Sequence, residues 1–292
     1  DISSDGKGTV YIATDGNGVH FLSHKDQQVT RRFYHDVNDK EGIRSNSIYS
    51  LLIDDRGAVW VGHFQAGLDY SLYQNGLFRT YDYPPLFNSA NLSIRSFVNK
   101  GQEKVIGSRD GLFYINEATG VVKSFVKPVL TSDLILTICF YQGEYYIGTY
   151  GGGMMVLNPE TLSLKYFAQG DTELFQKGHI FCVKPDAKGN LWIGTSQGLF
   201  SYNGQTKQIK SFTSANSQLP EGNVYEVSFD STGKGWIATE TGMCIYDPAS
   251  QSLRSNVFPE GFVNKDKVRT IYEDAEHNLY FIREKGSLFT ST

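Results

Sequence analysis

The chain has 292 residues, 40% of them hydrophobic and 14% aromatic, with 30 glycines, a composition suited to strands and tight turns in one large domain or two small ones. Its net charge of −4 comes from 27 basic and 31 acidic residues interspersed without a basic run, which argues against nucleic-acid or anionic-membrane binding. No apolar run approaches the ~18–20 residues of a membrane span, and no signal peptide is evident.

From the N-terminus, Val10-Tyr11-Ile12-Ala13-Thr14 reads as a short strand closed by a glycine turn at Gly16 and Gly18. The same text returns as Val59-Trp60-Val61-Gly62-His63, Lys104-Val105-Ile106-Gly107-Ser108, Tyr145-Tyr146-Ile147-Gly148-Thr149, Leu191-Trp192-Ile193-Gly194-Thr195, Gly235-Trp236-Ile237-Ala238-Thr239 and Leu279-Tyr280-Phe281-Ile282-Arg283. Each copy is followed by a glycine and a second apolar-aromatic strand.

Residues 47–83 show a whole unit. An apolar first strand (48–53) runs into an Asp54-Asp55-Arg56-Gly57 turn, in which aspartate can bond backbone amides and glycine supplies positive φ. The second strand (59–62), the turn 63–67 and the third strand (68–72) follow. Gln74-Asn75-Gly76 is a hairpin signal, and Phe78 to Tyr81 is a short outer strand. Outer strands recur at Arg32-Phe33, Ser124-Phe125, Tyr166-Phe167, Ser211-Phe212 and Val257-Phe258. The segments that follow them vary most: 36–45, 84–92, 128–133, 169–178, 215–222 and 259–267.

The period is measurable. Asp54, Asp186, Asp230 and Asp274 are spaced by whole multiples of 44 residues, and Trp60, Trp192, Trp236 and Tyr280 keep the same offsets. A period of roughly 40–50 residues with four strands per repeat is that of a β-propeller blade. The expected fold is therefore all-β, a seven-bladed β-propeller of four-stranded antiparallel blades with the last blade incomplete. No stretch has sustained helical periodicity and no internal boundary is visible, so residues 1–292 read as a single domain. Because the chain opens and stops inside a repeat, it reads as a piece of a longer protein. Cys139, Cys182 and Cys244 lie on apolar strand text in an odd count, and inner strands of neighbouring blades are too far apart to bridge. Buried free thiols are expected.

The pattern Asp-x-x-Gly-x-Leu/Val-Trp-Ile/Val-Gly-Thr, then Gly-Leu and an aromatic strand, resembles the two-component-regulator propeller repeat. Residues 186–195 fit it best, 54–62 and 230–239 closely, and an asparagine before apolar strand text (Asn46-Ser47-Ile48, Asn223-Val224) also matches. The resemblance covers seven copies, three good and four degraded. It implies the periplasmic sensor region of hybrid two-component system histidine kinases of polysaccharide-degrading gut bacteria. There, tandem propellers precede a small β-sandwich, a membrane helix and cytoplasmic kinase, receiver and DNA-binding parts. Implied partners are an oligosaccharide released during glycan breakdown, a neighbouring propeller and other domains of the parent chain, and a second copy in a homodimer of the parent. Neither nucleic acid nor membrane is expected to touch this fragment, and no cofactor or metal is implied.

Residues repeated in every copy are expected to be structural. The three tryptophans share a position with Tyr11, Tyr146 and Tyr280 and should pack between blades. The four aspartates should be turn residues rather than a carboxylate pair for hydrolysis. The six histidines do not cluster at metal-ligand spacing, and neither a nucleophile motif nor a phosphate loop is present. Gly151-Gly152-Gly153 fits either close approach to a ligand or the turn that holds Gly16 and Gly18.

Positions that share geometry but differ in type are more informative. The loop from second to third strand and the connection to the next blade emerge on one face. The first loop carries Asp15, Asn17, His63, Phe64, Gln65, Arg109, Asp110, Tyr150, Gln197, Glu240, Arg283 and Glu284; the second carries His35, Arg44, Arg95, His179 and Arg269. The ligand-binding candidates are Asn17, Phe64, Gln65, Arg109, Tyr150, Gln197, Glu240 and Arg283. Two alternatives stand beside sensing: a non-catalytic scaffold or dimerisation propeller, and a propeller lyase or glycosidase.

Overall fold

The computed structural model describes residues 1–23, 25, 28–72, 77–81, 92–167, 172–255, 267–274, 277–283 and 288–291. These form seven successive antiparallel sheets, each with its strands in chain order, the blades of a β-propeller. Blade 1 is β1 (Ile2–Ser4), β2 (Thr9–Ala13), β3 (Val19–Ser23) and β4 (Gln28–Phe33); blade 2 is β5 (Ile48–Ile53), β6 (Val59–His63), β7 (Leu68–Ser71) and β8 (Arg79–Thr80). Blade 3 is β9 (Ile94–Lys100), β10 (Glu103–Ser108), β11 (Leu112–Asn116) and β12 (Val121–Phe125); blade 4 is β13 (Ile135–Tyr141), β14 (Glu144–Thr149), β15 (Met154–Asn158) and β16 (Ser163–Tyr166). After helix α1 (Thr172–Lys177) come blade 5, β17 (Ile180–Pro185), β18 (Asn190–Thr195), β19 (Gly198–Asn203) and β20 (Ile209–Phe212), and blade 6, β21 (Val224–Phe229), β22 (Gly235–Thr239), β23 (Gly242–Asp247) and β24 (Ser252–Ser255). Blade 7 has three strands among the described residues, β25 (Val268–Glu273), β26 (Leu279–Arg283) and β27 (Leu288–Ser291).

Every second strand falls where the repeat places it, and the last blade is incomplete as expected. The outer strand of blade 6 precedes the Val257-Phe258 pair, which lies outside the described residues, as do the Gln74-Asn75-Gly76 signal and His24. Helix α1 was not legible. Its one and a half turns are too short to show a helical period, and it is held by packing, with Leu174 and Phe175 at most 1% exposed.

The chain packs as two compact units, Asp1–Pro128 with Asp133–Ile135, and Val129–Ser132 with Leu136–Thr292. In the first, Tyr11, Phe21, Phe33, Ile48 and Val61 form a core between blades 1 and 2, and Trp60, Ile94, Ile106 and Phe113 form one between blades 2 and 3. In the second, Tyr146, Phe175, Val183 and Ile193 fill the space between blades 4 and 5, and Trp192, Phe212, Val227 and Ile237 that between blades 5 and 6. Ala238, Val268, Ile271 and Phe281 do the same for blades 6 and 7. A blade is two-faced and buries its apolar side chains only against a neighbour, each contributing about 1.5–3 kcal/mol.

The repeat motif follows from this packing. A Cβ at Gly62, Gly148 or Gly194 would strike the first strand of the next blade, at Ile94, Ile180 and Val224 respectively, at 3.0 Å or less. The aspartate ties two elements together. Asp186 Oδ1 accepts the amides of Lys188 and Asn190, and its Oδ2 accepts Trp192 Nε1–H at 2.9 Å. Asp54 with Trp60 and Asp230 with Trp236 repeat this at 3.0 Å, and Asp274 accepts the Tyr280 hydroxyl at 3.0 Å. Burial pushes the Asp54 carboxyl up, but the bonds from Trp60, Ala58 and Arg56 outweigh it and hold it below the usual range. Asp230 is lowered in the same way, its burial outweighed by Thr232, Trp236 and Lys234.

Trp192 packs on Phe212 of its own blade and on Phe229 and Tyr246 of the next, with centroids at 5.6, 5.6 and 4.5 Å. Trp60 likewise reaches Phe97 of blade 3. The three cysteines are free and buried. Burial pushes the Cys139 thiol up to about 11 and that of Cys244 to about 12, and raises Cys182 further.

Candidate functional site

In each unit the loop between second and third strands is tied to a blade-to-blade connection, so within a unit these loops share a face. The Gly16 and Gly18 amides donate to Asn46 O at 2.9 Å, Phe64 N to Ser47 O at 3.0 Å and Arg109 N to Ser93 O at 3.1 Å. In the second unit Gly153 N donates to Gly178 O at 2.9 Å, Ser196 N to His179 O at 3.2 Å and Glu240 N to Asn223 O at 2.9 Å.

Asn17, Gln65, Arg109 and Gln197 are exposed at loop tips, Gln65 with φ at 53° and its amide on the Ser93 hydroxyl. Phe64 is half-buried against Tyr49, ring centroids 5.2 Å apart. Tyr150 is 50% exposed and stacks on His179 at 4.0 Å and 23°. Glu240 is half-buried, its Oε2 accepting Asn223 N at 3.4 Å. Arg283 is the last residue of β26, paired with Val268, rather than a loop residue. Glu284 lies outside the described residues.

Beneath these loops is a feature that sequence reasoning touched only in part: Arg95 and Arg269, expected on the blade-to-blade loop, lie instead in β9 and β25. The first strand of each of five blades carries a one-residue bulge near its start, and the extra residue is Tyr49, Arg95, Phe181, Tyr225 or Arg269. A bulge lifts one side chain out of the pleat's alternation and re-aims it. In the first unit Arg95 lies 4.6 Å over the Tyr49 ring, which also meets Phe64. In the second, Tyr150, His179, Phe181 and Tyr225 form a chain with centroid spacings of 4.0, 6.2 and 5.2 Å, ending with Arg269 at 4.5 Å and Lys267 at 5.2 Å over Tyr225. Arg95 Nε and His179 Nδ1 are buried without a hydrogen-bond partner among the described residues, polar capacity the protein leaves unmet. The signal was present in the sequence. After the repeated Ile48, Ile94, Ile180, Val224 and Val268, the next residue changes from copy to copy, as Tyr49, Arg95, Phe181, Tyr225 and Arg269.

His63 is fully buried, not on the loop face. Its Nε2 meets Asp69 Oδ2 at 2.9 Å, and Asp69 Oδ1 accepts Arg44 Nε at 2.7 Å, so Arg44 is held too. His63 stands where other blades place Thr14, Ser108, Thr149, Thr195 or Thr239, whose hydroxyls donate to the carbonyl of a loop glycine. The triglycine serves the protein's own backbone. At Gly153 φ is +70° and a Cβ would strike Phe175 O, and at Gly152 it would strike Thr131 and Ser132. Among the described residues Glu226 is the acid that burial lifts, against the pull of Lys184 3.6 Å away; its partner is a cation, not the second carboxylate of a glycosidase pair. No group of His, Cys, Asp and Glu among the described residues could hold a metal.

Residues 42–65 and 175–197 match the family model of the two component regulator propeller. Each match runs through the first two strands of a blade and ends in the loop that carries Gln65 or Gln197. No curated protein matches. Among solved structures, the extracellular domain named for the hybrid two component system BT3049 of B. thetaiotaomicron has a TM-score of 0.81 at 22% identity, over 99% of this chain and 38% of that one. The corresponding domain of BT4673 from the same organism has 0.79 at 18%, over 100% and 37%. An ancestral GH74 enzyme has 0.73 at 12%, over 100% and 44%. At these identities the likeness is one of fold, and this chain spans under half the length of each. No described helix is long and apolar enough to cross a membrane.

Proposed function

We propose for this chain, two of whose repeats match the two component regulator propeller, the role of extracytoplasmic sensor in a hybrid two-component signalling protein, recognising an oligosaccharide without transforming it. The observation that carries this reading is the ledge of bulge residues. In a frame repeated seven times, these positions diverge into tyrosine, phenylalanine and arginine and lie under the divergent loops. Aromatic faces take the CH face of a sugar ring, and guanidinium and amide groups take its hydroxyls or a carboxylate. In the first unit Phe64 with Tyr49 supplies the rings and Asn17, Gln65 and Arg109 the polar groups; in the second unit Tyr150 supplies a ring and Gln197 a polar group. Repeated carboxylates already committed to turns and tryptophans support binding over hydrolysis.

The periplasmic location, the parent's other domains and the homodimer belong to the same proposal, as does the reading of residues 1–292 as one domain. Signalling requires the ligand to prefer one arrangement of the parent over another, by ~5.5 kcal/mol for a near-complete switch. The test is calorimetry of the parent's whole extracytoplasmic region against a panel of oligosaccharides, with product analysis alongside. Binding without turnover, weakened by Tyr150→Ala and Arg109→Ala, is the expected result. Turnover of any sugar rejects the sensor, and binding indifferent to both variants rejects this face.

A further inference from the structure

We propose a second ligand site, a groove between blades 5 and 6 at the strand ends opposite the loops described above, shaped for an acidic saccharide. The groove encloses about 730 Å³, within the range of small-molecule sites. It is bounded by the Asp186 turn and the β19–β20 turn of blade 5 and by the Ser231 and Pro248 turns of blade 6.

Its origin is a departure from the repeat. The second-strand aromatic or apolar residue faces a bulky cross-strand partner in blades 1, 2, 3, 4 and 6, namely Phe21, Tyr70, Tyr114, Val156 and Ile245, and is paired with Thr290 in blade 7. In blade 5 the partner of Trp192 is Ser201. In blade 2 the same space is filled, with Tyr70 stacked on Trp60 at 5.1 Å and 22° and the buried Lys104 laid 5.7 Å over that indole. In blade 5 Phe212 takes the stacked position on Trp192, at 5.6 Å and 17°, and the small Ser201 lines the groove beside the buried indole.

The lining sets the ligand's chemistry. Asp186 is the one carboxylate among the lining residues, and its lone pairs are taken: Oδ1 by the amides of Lys188 and Asn190, Oδ2 by Trp192 Nε1 and Asn190 Nδ2. What faces the groove is therefore rich in donors. Lys188 is exposed, and Lys210 reaches across to Gln251 O at 3.1 Å, with the Gln208 and Gln251 amides and the Ser201 hydroxyl beside them. Ile209, Tyr246 and Pro248 give an apolar strip. A pyranose carboxylate complements all three elements: its anion the lysines, its hydroxyls the amides and its CH face the strip.

The probe is digalacturonate, compared by calorimetry at low salt with its methyl diester, which keeps the hydroxyls and removes the charge. The chain is expected to bind the acid and not the ester. Ser201→Tyr should abolish binding by filling the groove that Ser201 lines, with a cooperative melt showing that the fold is kept. A Lys188→Gln/Lys210→Gln double variant, altered only at exposed side chains, should weaken binding about tenfold or more and flatten its salt dependence. The proposal is overturned by no binding of digalacturonate up to about 10 mM, weaker than the millimolar range of the weakest specific sites. Equal affinity for the ester, or binding indifferent to both variants, overturns it too. Capture of a tetra-aspartate peptide with neither sugar bound overturns it in favour of a protein partner. None of these variants touches the loop face, so this failure and that of the proposed sensor site are separable.

Discussion

Replacing Trp192 by alanine tests how the blades are held. The side chain is 1% exposed and in contact with three aromatic rings, two of them from the next blade. Emptying a large aromatic from a core costs about 3–5 kcal/mol. The indole N–H also serves Asp186 Oδ2, whose loss as a charge-assisted bond is worth about 1.5–3 kcal/mol. That oxygen keeps Asn190 Nδ2 at 2.8 Å, so the hydrogen-bond loss falls at the lower end and the total is roughly 5 kcal/mol. Trp192→Phe keeps most of the ring and should cost only the bond, about 1.5–2 kcal/mol plus a small packing loss. Urea denaturation at unchanged m-value measures both, and a cycle with Asp186→Ala should give a coupling energy of at least 0.5 kcal/mol. The opposite substitution in the loop face, Phe64→Ala, should cost far less, since that ring is half-buried against one neighbour. A Trp192→Ala protein with a midpoint near wild type would show that the indole does not join the blades, and the account of the Asp–Trp motif would fall with it.

Three further outcomes are expected. Asp230 has a folded-state carboxyl lowered below its ordinary 3.8, so its contribution is present above that value and lost as pH falls through the depressed one; Asp230→Asn should flatten the acid limb of urea stability below about pH 4. Gly153→Ala should destabilise by several kcal/mol, because a Cβ would strike Phe175 O on top of a positive φ, whereas Gly101→Ala, with φ +62° and open space, should cost about 1 kcal/mol in the same denaturation assay. The three thiols should resist a disulfide reagent at pH 8 in the native state and titrate fully in denaturant, since burial holds Cys139 near 11 and Cys244 near 12; rapid native labelling would contradict their burial.

The sequence by itself determined the blade. Its period, its strand boundaries and the structural role of the repeated Asp and Trp were legible because each blade needs the same local solution, an Asx-type turn and an aromatic wedge; that the repeated Gly makes room for the next blade's first strand came from the fold. What it did not disclose were pairings between positions whose repeats were read separately. The six-residue step from Asp54 to Trp60 and from Asp186 to Trp192 is visible in the text, yet only the fold shows the carboxylate accepting the indole N–H. His63 looked like a loop residue until a buried Asp69 claimed it, and helix α1 was too short to carry a period. The bulges decided the candidate site. A register shift of one residue redirects Tyr49, Phe181 and Tyr225 from strand text to a ledge beneath the loops, and period-2 patterning cannot signal that reversal. The groove beside Ser201 has the same character: one small residue in a repeat is unremarkable in sequence, and becomes a cavity only when the blades on either side fix the space it fails to fill.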